Sequence, residues 1–262
     1  MYKIVIAISL VLSTAYFCFA LNVSRAQANP KTVEIHSLTA NAKNNILENI
    51  EERNTPREMY GLVNLNEISS NFCIELRYAS RNNFTGKQIY PHSARAFLQK
   101  STAEKLLAAN EELYELGYRI KILDAYRPRK YQYILREAAY NNDPATAGFV
   151  ANPDTGSHHN RGASIDITLT DLEGHELNMP TEFDFFGPEA SIYYDGCTDE
   201  QKENRELLGK TMEKHGFRRI SSEWWHFDDV DYANYELLDV DFNELSWWLY
   251  NTKLILPIWK FF

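Results

Sequence analysis

From Ala163 to Leu169, apolar Ala163, Ile165, Ile167 and Leu169 alternate with polar Ser164, Asp166 and Thr168. A period of two belongs to an extended strand, which sends successive side chains to opposite faces. The segment must therefore lie in a sheet with one apolar face against a core. Asp166 then belongs to the polar face, where a ligand to a site beside the sheet has to stand. Other stretches carry the helical period. Ser101 can cap a helix in which Ala103, Leu106, Leu107 and Leu113 recur, ending near Gly117. Tyr118 to Leu123 reads as a strand that runs into Asp124-Ala125-Tyr126-Arg127-Pro128, where proline drives the preceding residue out of the helical region. Residues 129–140 and Asp199 to His215 read as further helices, the second ended by Gly216. Upstream, Val63, Leu65, Ile68, Phe72, Ile74 and Leu76 suggest short strands. Strands and helices mix without a βαβ rhythm and without repeats. The expectation is an α+β domain, a largely antiparallel sheet flanked by helices.

The ends of the chain read differently. Lys3 precedes an apolar run from Ile4 to Leu21, with Cys18-Phe19-Ala20 at its end and Ala26-Gln27-Ala28 after it as small-residue cleavage signals. This is the plan of a secretory signal peptide, or of a single anchor if it stays uncleaved. The organisation expected is a leader or anchor over 1–28, a polar linker over 29–58, a compact domain over 59–230 and a C-terminal extension over 231–262. Trp247-Trp248-Leu249-Tyr250 and the apolar end of that extension are interrupted by Lys253 and Pro257 and are too short to span a bilayer, so packing on the domain is expected. Membrane contact is then expected only through an uncleaved leader. Cys73 and Cys197 are too far apart in sequence for a local metal or redox motif, and whether they pair stays open. The net charge is −9, with acidic and basic residues interleaved and no basic run. That argues against a nucleic-acid groove and favours a small-molecule or peptide substrate.

Two segments carry the chemistry. One is Ser157-His158-His159-Asn160-Arg161-Gly162-Ala163-Ser164-Ile165-Asp166, the other Ser222-Glu223-Trp224-Trp225-His226. Zinc in a hydrolase commonly takes three His or acidic ligands and leaves a fourth position open. In the second segment a carboxylate stands three residues before a histidine, so Glu223 can take a proton from an attacking water while His226 binds metal. The two indoles between them would help keep the site dry. Residues 223 and 226 face opposite sides of an ideal strand, so both can approach one ion only if the backbone bulges or turns there. His36, His92, His175 and His215 read as surface residues.

Taken together, Ser-x-His-x-x-Gly-x-x-x-Asp and a later Glu-Trp-Trp-His resemble the D-alanyl-D-alanine dipeptidases, the vancomycin-resistance-type enzymes related to zinc D,D-carboxypeptidases and the hedgehog signalling domain. Three more segments agree, in order between about residues 62 and 229: Arg77 to Lys87, Asp124 to Pro128 with Ala125 where the family has glycine, and Phe183-Asp184-Phe185. The resemblance implies one zinc ion per subunit on His159, Asp166 and His226, with His158 at a variable position. It implies Glu223 as general base and Arg127 as the group stabilising the oxyanion. It implies Ser157, Asp184 and Tyr78 as residues lining the dipeptide pocket, Asp184 pairing with the substrate ammonium. The implied activity is hydrolysis of D-alanyl-D-alanine in the periplasm or cell envelope of a bacterium. The export signal and the C-terminal extension depart from the family pattern. Two rival readings stand beside it: an exported D,D-carboxypeptidase or endopeptidase acting on peptidoglycan, and a zinc-stabilised binding module without catalysis.

Overall fold

A computed structural model describes residues 57–255, so the segments expected to be a leader and most of a linker, and the last seven residues, lie outside it. Two sheets form the framework. The smaller is antiparallel, ordered β1 (Glu58–Met59), β2 (Leu62–Asn64), β4 (Phe97–Gln99). The larger runs β3 (Cys73–Ile74), β5 (Tyr118–Asp124), β6 (Ser164–Asp171), β8 (Glu223–Asp229), β7 (Phe217–Ile220). Only the β3–β5 pair is parallel; β5, β6, β8 and β7 pair antiparallel. The α+β, largely antiparallel architecture expected from the period-two pattern is what the chain adopts.

Among the described residues, four helices longer than a single turn accompany the sheets: α1 (Lys100–Glu115), α2 (Arg129–Asn142), α3 (Asp199–Lys214) and α4 (Phe242–Ile255). Helix α1 starts one residue before Ser101, and Gln99 occupies its N-cap without a side-chain bond. Its Ala103, Leu106, Ala109 and Leu113 are fully buried, as one helical stripe against the sheet requires. Helix α3 opens on a capping box between Thr198 and Gln201, with Asp199 and Glu200 in its first turn where the helix dipole favours acids. Leu65 and Ile68 are not in a strand. They belong to a helical turn, Leu65–Ile68, because the Asn64 side chain accepts from the Asn66 amide and turns the chain out of β2. In α4, Phe242 and Leu245 are fully buried, Phe242 among the rings of Tyr90, Tyr126 and Tyr131. Cys73 and Cys197 are both free thiols. No described helix is long and apolar enough to cross a membrane.

Strand β6 is central and buried on both faces, its polar Ser164, Asp166 and Thr168 included. Two irregularities lie beside it. The β5–β6 register slips between Ile122 and Asp124, which sets Asp124 opposite Asp166. The β7–β8 register jumps between Arg219, opposite Phe227, and Ile220, opposite Glu223. Bulges of this kind re-aim side chains and cluster at functional sites.

Candidate metal centre

Cross-strand pairing places Asp124, Asp166 and His226 in one row over β5, β6 and β8, since Asp124 pairs with Asp166 and Asp166 with His226. The third ligand candidate comes from the turn before β6. Ser157 caps the single turn His158–Arg161: its hydroxyl accepts from the His159 amide, and its own amide donates to Asn160 Oδ1. Gly162 ends the turn at φ 67°, a left-handed backbone that favours glycine. A Cβ there would also lie 2.5 Å from Leu62 Cδ2 and 3.2 Å from the Gln99 amide nitrogen. The glycine of the motif is thus what lets His159 return to the sheet.

Three donor atoms meet. His159 Nε2 lies 3.3 Å from His226 Nδ1 and 3.4 Å from Asp166 Oδ1, and His226 Nδ1 lies 3.0 Å from Asp166 Oδ1. Ligands at zinc distances of about 2.0–2.1 Å on a tetrahedron stand roughly 3.3 Å apart, so these three atoms have the dimensions of one tetrahedral face. The tautomers agree with this. His159 Nδ1 is 2.7 Å from the Ala125 carbonyl, which can only accept, so in the neutral ring Nε2 is left with its lone pair. With a metal on Nδ1, His226 Nε2, 3.0 Å from Asp228 Oδ1, would keep the proton and donate it to that carboxylate. Two imidazoles and a carboxylate are a donor set that fits zinc. Among the described residues, His159, Asp166 and His226 form a group able to hold a metal ion. Burial alone would raise the Asp166 carboxyl, but the two imidazoles overcome it and hold the group well below its ordinary range.

A cavity of about 230 Å³ opens on these atoms, lined also by Glu223, Arg127, Tyr78, Ser157 and Asp184. The eight residues singled out in the sequence therefore share one pocket. Glu223 and His226 reach it together because of the register jump in the β7–β8 hairpin, the bulge their spacing demanded. Burial pushes the Glu223 carboxyl up to about 7, aided by the carboxylates of Asp166 and Asp228 and opposed by His226 and Arg127. Trp225 is buried in the wall, edge-on to Phe183, while Trp224 turns away and donates to Thr181 Oγ1. Arg127 is held rigidly: Nε and Nη2 donate to Asp124 Oδ2 at 3.0 and 2.7 Å, and Nη1 donates to Gln132 Oε1 at 2.7 Å. Tyr90 donates to the same Asp124 carboxylate from the other side.

Asp184 has a positive φ of 63°, an αL conformation of the kind found at functional sites. Its Oδ1 accepts from the Tyr78 hydroxyl at 2.9 Å, and its Oδ2 is buried without a partner. Burial, with Asp166 and Glu223 nearby, holds this acid well above its ordinary range. His158 is not part of the metal-sized triangle; its Nδ1 lies 2.8 Å from Asp228 Oδ1. His175 and His215 pair with Asp171 and Glu112, and His92 is exposed, whereas His36 lies outside the described residues.

Sequence reading missed Asp228, although its signal was present: it follows His226 by two residues on a strand and so shares its face. Asp124 had no role assigned inside the quoted motif. Gln132 and Tyr90 carried no local signal, because the Arg127 clamp they join is assembled only by the fold.

A family model described as D-ala-D-ala dipeptidase matches residues 58–245. The chain belongs to this family. It is 38% identical over 182 residues to the D-alanyl-D-alanine dipeptidase of Escherichia coli (strain K12), covering 70% of this chain and 91% of the relative. It is 31% identical over 189 residues to that of Enterococcus faecalis (strain ATCC 700802 / V583), covering 65% and 92%. Among solved structures, a vancomycin-resistance D,D-dipeptidase in complex with a D-Ala-D-Ala phosphinate analogue aligns at 18% identity and a TM-score of 0.37, over 58% of this chain and 59% of that one.

Proposed function

We propose that this chain is a zinc dipeptidase that hydrolyses D-alanyl-D-alanine to D-alanine, with one ion on His159 Nε2, Asp166 Oδ1 and His226 Nδ1. The observation that carries the reading is the convergence of those three atoms within 3.4 Å of one another beside Glu223 in one small pocket. The family's relatives bear the name of the same activity.

Bound zinc would supply a Lewis acid that polarises the scissile carbonyl and acidifies the attacking water. Glu223 takes the proton from that water and passes it to the leaving amine, a role suited to a carboxylate whose acidity has been brought near neutral pH. Arg127 stabilises the oxyanion formed on the substrate carbonyl. Its clamp on Asp124 and Gln132 fixes the guanidinium before the reaction, so little reorganisation is needed as charge develops. Asp184 receives the substrate's free ammonium on Oδ2, the oxygen with no partner in the protein. Tyr78 steadies the same carboxylate through Oδ1, and Ser157 lines the pocket at the cap of the His159 turn. The cavity is smaller than the roughly 300–1,000 Å³ usual for drug-sized ligands, which suits a dipeptide. The apolar leader with its Ala26-Gln27-Ala28 site supports export to the bacterial cell envelope, which fractionation and N-terminal sequencing of the mature protein would check.

Protein stripped of metal and reloaded with zinc is expected to release D-alanine from free D-alanyl-D-alanine and to spare the N-acetylated form and the L,L-dipeptide. Equal cleavage of the N-acetylated form would assign the chain to polymeric wall substrates. Absence of hydrolysis in a zinc-loaded sample would make it a binding module.

A further inference from the structure

Asp228 stands at the centre of a polar cluster behind His226. It is buried, and its Oδ1 faces three donors: His226 Nε2 at 3.0 Å, His158 Nδ1 at 2.8 Å and Ser164 Oγ at 2.6 Å. Its Oδ2 accepts from Arg218 Nη2 at 3.2 Å. The backbone explains the convergence, because Asp228 pairs with Ser164 on β6 and with Arg218 on β7, one step along the face that carries Asp166 and His226. Tyr232 closes the cluster from outside: the His158 ring lies 3.8 Å from it, and the Arg218 guanidinium sits 4.6 Å over it.

We propose that Asp228 is a positioning residue that orients His226 for the metal. Accepting from Nε2, it fixes the tautomer that leaves Nδ1 free, holds the ring plane, and strengthens Nδ1 as a donor. Ser164, His158 and Arg218 hold the carboxylate in turn, so the orientation of His226 is set by four separate segments. His158, at the variable position of the motif, thereby acts on the site without touching the ion. The inference rests on the zinc reading of His159, Asp166 and His226.

The neighbouring residue supplies the control. Asp229 is equally buried on the same strand, but its oxygens accept from Thr102 and Lys105 of α1, away from the metal face. Zinc affinity, measured on apo-protein by competition with a chromogenic chelator and without any turnover, is expected to fall about 100-fold in Asp228→Ala. In Asp228→Asn, which keeps an acceptor for Nε2 but loses the charge, the fall is expected to be about tenfold. Asp229→Asn is expected to lower the melting temperature and leave zinc affinity within about twofold of the unmodified protein. Unchanged affinity in Asp228→Asn, which decides the matter alone if the alanine variant does not fold, would overturn the proposal. Equal weakening in Asp229→Asn would do so too, since the effect would then be general loosening. If the unmodified protein takes up no zinc, the reading beneath the proposal fails, and that result is distinguishable from the others.

Discussion

Strand β8 buries a carboxylate on each of its two sides, and the two sides are furnished differently. Toward α1, Asp229 accepts from Thr102 Oγ1 at 2.5 Å, from Lys105 Nζ at 2.5 Å and from the Asp231 amide at 2.9 Å. Both of its oxygens are satisfied within the protein. Toward the pocket, His159 Nε2 and His226 Nδ1 crowd within 3.4 Å of one another and of Asp166 Oδ1, Asp184 Oδ2 has no partner, and burial pushes the Glu223 carboxyl up to about 7. Buried polar groups are expensive unless paired. A group satisfied by its own chain holds the fold together. A group left with spare capacity at the bottom of a cavity lowers stability until something else fills it, and that marks the side where a ligand belongs. The contrast can be broken by changes that cost activity on one side and stability on the other.

The largest effect is expected from Glu223→Gln, which keeps shape and hydrogen bonding but removes the base. Turnover should fall about two to four orders of magnitude while zinc content stays at one per chain. Full turnover with the metal verified would remove Glu223 from the reaction. Next comes Arg127→Lys. An ammonium cannot span Asp124 and Gln132 while also facing the substrate, so kcat should fall about 10²–10³-fold. A rise in KM alone would recast the arginine as a ground-state binding group. Asp184→Asn should raise KM for the free dipeptide about 10- to 100-fold, the size of one lost charge-assisted bond, and narrow the preference over the N-acetylated form. Because asparagine resembles the neutral acid that burial favours there, the melting temperature should hold or rise. A clear fall in melting temperature would mean that the Asp184 charge holds the fold rather than the substrate.

How far the sequence carried depended on whether a signal was local. The period-two run of β6 and the stripe of α1 were legible because each is decided within a few residues. The metal candidates were legible because a motif places His159 and Asp166 on one turn and strand, and His226 beside Glu223. Leu65 and Ile68 read as strand residues because apolar spacing over four positions cannot separate a strand from one helical turn; the deciding bond was made by Asn64. The clamp on Arg127 draws on Tyr90, Asp124 and Gln132, and only the β-bulge at the end of β5 and the start of α2 bring those together. Asp228 was the avoidable omission. The alternation that assigned Asp166 to a polar face applies equally to β8, where it links positions 226 and 228.

The smallest expected effect tests the back side of the strand. Thr102→Val preserves the shape of a fully buried side chain, so no cavity opens and the change isolates one hydrogen bond. Asp229 keeps Lys105 and the Asp231 amide, but both of those donate to Oδ1, leaving Oδ2 without the donor that Thr102 supplied. An acceptor left short in the interior costs about 1–2 kcal/mol. For a domain of this size that is a drop of roughly 2–8 °C in melting temperature. Zinc affinity and kcat/KM should not move, because nothing on the pocket side touches Thr102. An unchanged melting temperature would show that Asp229 is held well enough without it. A parallel loss of zinc affinity would show that the two sides of β8 are coupled, and the division of labour drawn between them would not hold.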